Sequence, residues 1–167
     1  IHQWACTLAA CMAILAPATL GAVFGVVAAR PFWHGPFTPI LMVASAFVSG
    51  VALLGIVFYA VVRFRRAGFE RSGRLAIPGL RLLLGIGLVA LAVLIARHMG
   101  SGLLGTERGL RVATEAVLGG PLAIQFWGVR VGIGLALPMV LIVLPATRTP
   151  VGLFAASVAA LIGVGVD

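Results

Sequence analysis

Few residues of this chain could carry chemistry, and they lie far apart. The histidines are His2, His34 and His98, the cysteines Cys6 and Cys11, and the acids Glu70, Glu107, Glu115 and Asp167. A membrane haem held by histidine pairs needs two imidazoles facing each other at similar depth on neighbouring helices. Three histidines spread over the chain supply at most one such pair, from a loop and a helix end, so haem ligation is not expected. Two cysteines do not hold an iron–sulfur cluster. Cys6 and Cys11 stand five positions apart on one predicted helix, too far along its axis for a disulfide. Both read as small apolar packing residues. Gly85-Ile-Gly87-Leu-Val-Ala90 fits the dinucleotide pattern G-x-G-x-x-A, but no strand precedes it and it sits inside an apolar run. Glycines that let membrane helices approach closely explain it better, as they do Gly128-x-x-x-Gly132. No metal-ligand cluster, P-loop or nucleophile constellation is present.

The elements that would position these residues are set by composition. Of the 167 residues, 62% are hydrophobic and 10% charged, and the mean hydropathy is +1.19. A soluble domain of this size cannot bury so much apolar surface, so lipid must solvate much of it. All 12 cations are arginine and the net charge is +8. They cluster between apolar runs instead of forming a stripe, which argues for membrane-flanking loops and against nucleic acid. A span needs about 20 apolar residues. Five runs qualify or nearly so, at 4–29, 40–62, 77–96, 121–146 and 151–167. The expected fold is all-α, a polytopic transmembrane helix bundle of about five membrane helices forming a single domain over 1–167. The chain begins without methionine and stops inside an apolar run, which reads as a segment of a longer membrane subunit.

Pro17 is expected to kink the first run, and Pro39 to open the second. Arg81 lies close enough to the start of the third to snorkel towards the headgroups. Between runs two and three, Arg63, Arg65, Arg66, Arg71, Arg74 and Arg81 face Glu70 alone, so that loop should be cytoplasmic by the positive-inside rule. The connection around Arg30–Gly35 and the one after His98 then lie on the other side, the latter with a short interfacial helix. His2 falls near the cytoplasmic face as an interfacial residue. Arg130, nine residues after Pro121, lies roughly 13 Å into the bilayer. A charge at that depth needs a partner or a water-filled cavity. Asp167, far along the last run, is within reach of a snorkelling arginine, which suggests an Arg130–Asp167 pair. Its bland role is an ion pair that fixes helix register. Glu115 reads as part of a solvated helix face near the outer interface.

The stretch ATLGAVFGVVAARPFWHGPFTPILMVASAFVSGVALL resembles the NrfD/PsrC-type family of polysulfide-reductase-like membrane subunits. Arg30, Pro31, Phe32, Trp33 and His34 match its arginine-proline-aromatic connection. Pro39, Ser45, Ser49 and Gly50 match the opening and small residues of the next helix. GGPLAIQFWGVRVGIGLALPMVLIV gives a second match through Gly120, Phe126, Trp127, Gly134, Leu137 and Pro138. The resemblance is to the C-terminal half of such a protein. It implies a haem-free membrane subunit of a bacterial respiratory redox complex in the cell inner membrane. Such a subunit exchanges electrons between the quinone pool, menaquinone or ubiquinone as exchangeable substrate, and an iron–sulfur, ferredoxin-like partner. A larger redox enzyme or multihaem cytochrome would complete the complex, and no haem or cluster is expected in this chain. Arg130, Asp167 and Glu115 then become candidates for a proton route. Arg30, Trp33, His34 and His98 become candidates for contacts with the partner or the quinone entrance, the alternative being residues that only anchor a hairpin at the interface. A transporter or ion-translocating subunit without redox chemistry, or a structural anchor for a peripheral enzyme, is the competing reading.

Overall fold

The computed structural model describes residues 2–26, 37–64, 70–104, 108–144 and 149–165. Among them the chain forms six α-helices and one π-helical segment: α1 (His2–Val26), α2 (Thr38–Phe64), α3 (Glu70–Leu104), α4 (Arg108–Gly119), the π segment (Gln125–Ala136), α5 (Leu137–Val143) and α6 (Pro150–Gly165). Long apolar runs uninterrupted by turn residues leave the backbone no water to bond to. Helices, which satisfy their own N–H and C=O groups, are the consequence. Thr38–Phe64, Ala76–Leu104 and Gln125–Val143 are long and apolar enough to cross a membrane, while Cys11–Val26 and Pro150–Gly165 are shorter apolar helices. The expected all-α polytopic bundle is therefore the observed one.

Its core follows the helical period. On α2 the buried positions include Leu41, Ser45, Val48, Ala52 and Gly55, and on α3 they include Leu84, Leu88, Leu91 and Ile95. On α6 they include Leu153, Ala156, Ala160 and Gly163. Along each helix these positions recur every three or four residues, a stripe facing the core. α2 is central, packed on α1, α3 and α6, and α6 also packs on α5 and the π segment. Outward faces carry Leu53, Leu54, Val57, Leu82, Ile86 and Val93, all about half exposed or more. Such faces suit lipid as solvent.

Small residues set the closest approaches. A Cβ on Gly134 of the π segment would overlap the backbone of Gly163 on α6, and the reverse holds too. A Cβ on Gly55 would meet the Ser157 hydroxyl, and one on Gly87 would stand 3.0 Å from Val48 Cγ2. This corrects the reading of the Gly128–Gly132 pair. Gly128 has nothing within 4 Å of its would-be Cβ, and Gly132 meets only the Trp127 carbonyl of its own segment. Gly134 is the crossing point instead. Gly87 does serve close approach, as its apolar run suggested.

The ends of the runs shift in informative ways. α3 continues to Leu104, six residues beyond His98, so His98 lies within a helix and not at the start of a connection. Apolar residues after Arg97-His98 keep the helix in register despite two polar side chains. α4, with Arg108, Arg111 and Glu115 on one side and Thr114 buried against Gly102 of α3, is a short helix in this connection, amphipathic as an interfacial helix would be. Leu137 donates its backbone N–H to the Gly132 carbonyl, the i→i−5 pattern of a π-helix. The segment ends against Pro138, which has no N–H to give and whose ring would crowd the carbonyl four residues earlier.

Candidate functional site

Among the described residues, besides the buried Ser45 on α2 and Ser157 on α6, polar side chains gather at two places in the bundle, one at each end. The first lies where α2 begins and α3 nears its end. The two helices run antiparallel, so the Arg97 guanidinium carbon comes 5.7 Å from the centre of the Phe37 ring, in cation–π geometry. The next residue of each chain segment turns inward: Thr38 is 2% exposed and His98 8%. Ser101 Oγ donates to the His98 carbonyl at 2.8 Å, and Thr114 Oγ1 donates to the Leu110 carbonyl at 2.8 Å. Hydroxyls that bond back to their own helix leave the bundle's apolar contacts intact while lining this end with polar atoms.

The π segment supplies the neighbouring wall. Phe126 is buried, and the Trp127 ring meets it edge-on at 5.4 Å between centroids. Trp127 Nε1 donates to the Leu118 carbonyl at 3.0 Å, which fixes the end of α4 to the start of the π segment. The family-signature pair thus has a physical task, holding the interfacial helix against a span. Arg130 follows within the π segment and is half-buried. Glu115 is on the exposed side of α4, where Arg111 Nε donates to its Oε1 at 3.1 Å.

The second place is built around Arg81. Sequence position suggested a snorkelling residue, but Arg81 is 8% exposed. Its Nη2 donates to the carbonyls of Leu141 (3.2 Å), Ile142 and Leu144 (3.4 Å). These carbonyls lie where α5 ends, at the negative end of its dipole. Pro138 and the π segment make α5 a short helix, and Arg81 closes it. Arg81 also lines a cleft of about 830 Å³ between α3 and α5. An arginine one turn inside an apolar run was the available signal; the partner helix was not legible.

The other sequence candidates distribute as follows. Arg30, Pro31, Trp33 and His34 fall in 27–36, and Asp167, with the expected Arg130–Asp167 pair, in 166–167, outside the described residues. Pro39 stands in the first turn of α2, and its Cα would be 2.6 Å from a Cβ on Gly21, where α1 crosses. Gly50 points away from other helices, with nothing within 4 Å of a would-be Cβ. Pro138 is fully buried. His98, together with Arg97, Thr38 and Phe37, is what the structure gathers at the end where the 27–36 connection joins α2.

Apolar helices of spanning length, one interfacial helix and two polar ends define a polytopic membrane protein. The family model for Polysulphide reductase, NrfD matches residues 1–166, and the chain belongs to that family. A selenate reductase subunit from Mesobacillus selenatarsenatis is 31% identical over 123 residues, which is 73% of this chain and 28% of that protein. The chain thus spans little more than a quarter of that relative's length. No solved structure matches the chain.

Proposed function

We propose that this chain is part of a haem-free membrane subunit of a bacterial respiratory reductase complex, placed in the cell inner membrane. In this reading the subunit exchanges electrons between the quinone pool and an iron–sulfur partner, which passes them to or from a larger redox enzyme or multihaem cytochrome. The observation that carries it is the family match over residues 1–166. The likeness to one of the subunits of a selenate reductase supports the placement in a reductase complex. The end of the bundle holding Arg97, His98, Thr38 and Phe37 suits contact with that partner or the quinone entrance. Arg30, Trp33 and His34 would contribute from the adjoining connection, with Trp33 at headgroup level.

Quinol oxidation releases protons together with electrons, so a proton route must accompany electron transfer. Arg130 and Asp167 are proposed for it, since intramembrane ionisable groups mark such routes. Glu115, exposed at the interface, would act only where protons meet solvent.

The test uses the full-length subunit with its co-purified partners in lipid nanodiscs. Added menaquinol or ubiquinol should reduce the partner's iron–sulfur centres, read by electron paramagnetic resonance, and extraction should recover bound quinone. His98→Ala should slow that reduction while the complex stays assembled. A complex that assembles but shows no quinol-dependent reduction and no bound quinone would reject the redox reading in favour of an anchor or transporter.

A further inference from the structure

The cleft between α3 and α5 lies at the arginine-rich end, opposite the end assigned above. Ile77, Pro78, Leu82, Val89, Ile142 and Val143 give it apolar walls, and Arg81 is the one charged residue among the described residues that line it. None of these lining side chains is a carboxylate, imidazole or hydroxyl. They offer no proton acceptor for a quinol, and the ligand they suit is long, apolar and negative at one end.

We propose that this cleft holds an anionic phospholipid of the leaflet at the arginine-rich end. Length is the first argument. Lining residues on α3 run from Ile77 to Ala90, about 20 Å of helix, against about 15 Å for the hydrocarbon half of a bilayer. One acyl chain fits along that wall. Charge is the second argument. Arg81 stands one turn inside the Ile77–Pro78 end, and the guanidinium is positive whatever its hydrogen bonds. A phosphate at the Ile77–Pro78 end would meet the Arg81 charge, with apolar walls below it. Such a lipid would close the side of α5, whose shortness leaves it dependent on Arg81 and its neighbours.

The experiment reconstitutes the full-length subunit in vesicles of equal phosphatidylglycerol and phosphatidylcholine, re-extracts it in mild detergent and measures retained lipid by mass spectrometry. Phosphatidylglycerol should be enriched. Arg81→Gln should lower that enrichment about fivefold, the worth of one arginine near an anionic surface, and Arg81→Lys, which keeps the charge, should restore most of it. Ala90→Trp, which fills the apolar end, should lower the total lipid retained. Equal retention of the two lipids, enrichment unmoved by Arg81→Gln, or total lipid unmoved by Ala90→Trp would overturn the proposal. So would a cross-link from Leu82→Cys to another segment of the longer polypeptide, since a protein helix would then occupy the cleft.

Discussion

Arg81 and Glu115 show how differently a charge behaves on the two sides of the interface. Arg81 is buried, and its Nη2 donates to the Leu141 and Leu144 carbonyls at the end of α5. Hydrogen bonds from a charged donor are worth about 1.5–3 kcal/mol. Arg81→Gln should therefore destabilise the protein by about 2–3 kcal/mol, read as a lower midpoint of thermal unfolding in detergent. Arg81→Lys should recover part of it, because an ammonium can reach the carbonyls without the planar fork. Glu115 is different. Its pair with Arg111 is one helical turn apart and more than half exposed on both sides. Glu115→Gln should change stability by no more than about 0.5 kcal/mol in the same assay. A larger loss would mean that Glu115 has a partner beyond α4.

Glycine at one helix crossing decides what can pack there. The π segment and α6 meet backbone to backbone at Gly134 and Gly163. Gly134→Leu has no space without moving a helix, and overpacking costs about 1–3 kcal/mol or more. It should lower the unfolding midpoint or prevent folding, whereas Gly128→Ala, with open space around its would-be Cβ, should leave the midpoint unchanged. Both substitutions lie on the same π segment, so their contrast isolates packing from helix propensity. Equal effects would show that the segment's backbone geometry, and not the crossing, is the sensitive feature.

Orientation belongs to the whole molecule. In the sequence, Arg63, Arg65, Arg66, Arg71 and Arg74 cluster from the last residues of α2 to the first turns of α3, and Arg148 comes shortly before α6. The bundle's alternating helices place Arg97, His98 and the α4 interface at the other end. With Cys6 and Cys11 replaced by serine, Arg66→Cys should react with a membrane-impermeant maleimide only after the cytoplasmic side is opened. Thr106→Cys should react from the outside of intact spheroplasts. The reverse pattern would place the candidate site in the cytoplasm and the arginine-rich end outside.

The sequence by itself determined the all-α bundle, three helices long and apolar enough to span a membrane, the short helix after α3 and the family. Long apolar runs admit only helices in lipid, and the Arg30–His34 and Phe126-Trp127 signatures are local. It also pointed to a polar end around His98, though not to the six further residues of α3. What only the tertiary structure decided were the pairings. Gly134 and not Gly128 is the crossing, Arg81 bonds the end of α5, and Trp127 ties the π segment to α4. Each depends on which distant backbone lies beside a residue, and in a chain where nearly every side chain is apolar, hydropathy is the same on both faces and does not choose the neighbour.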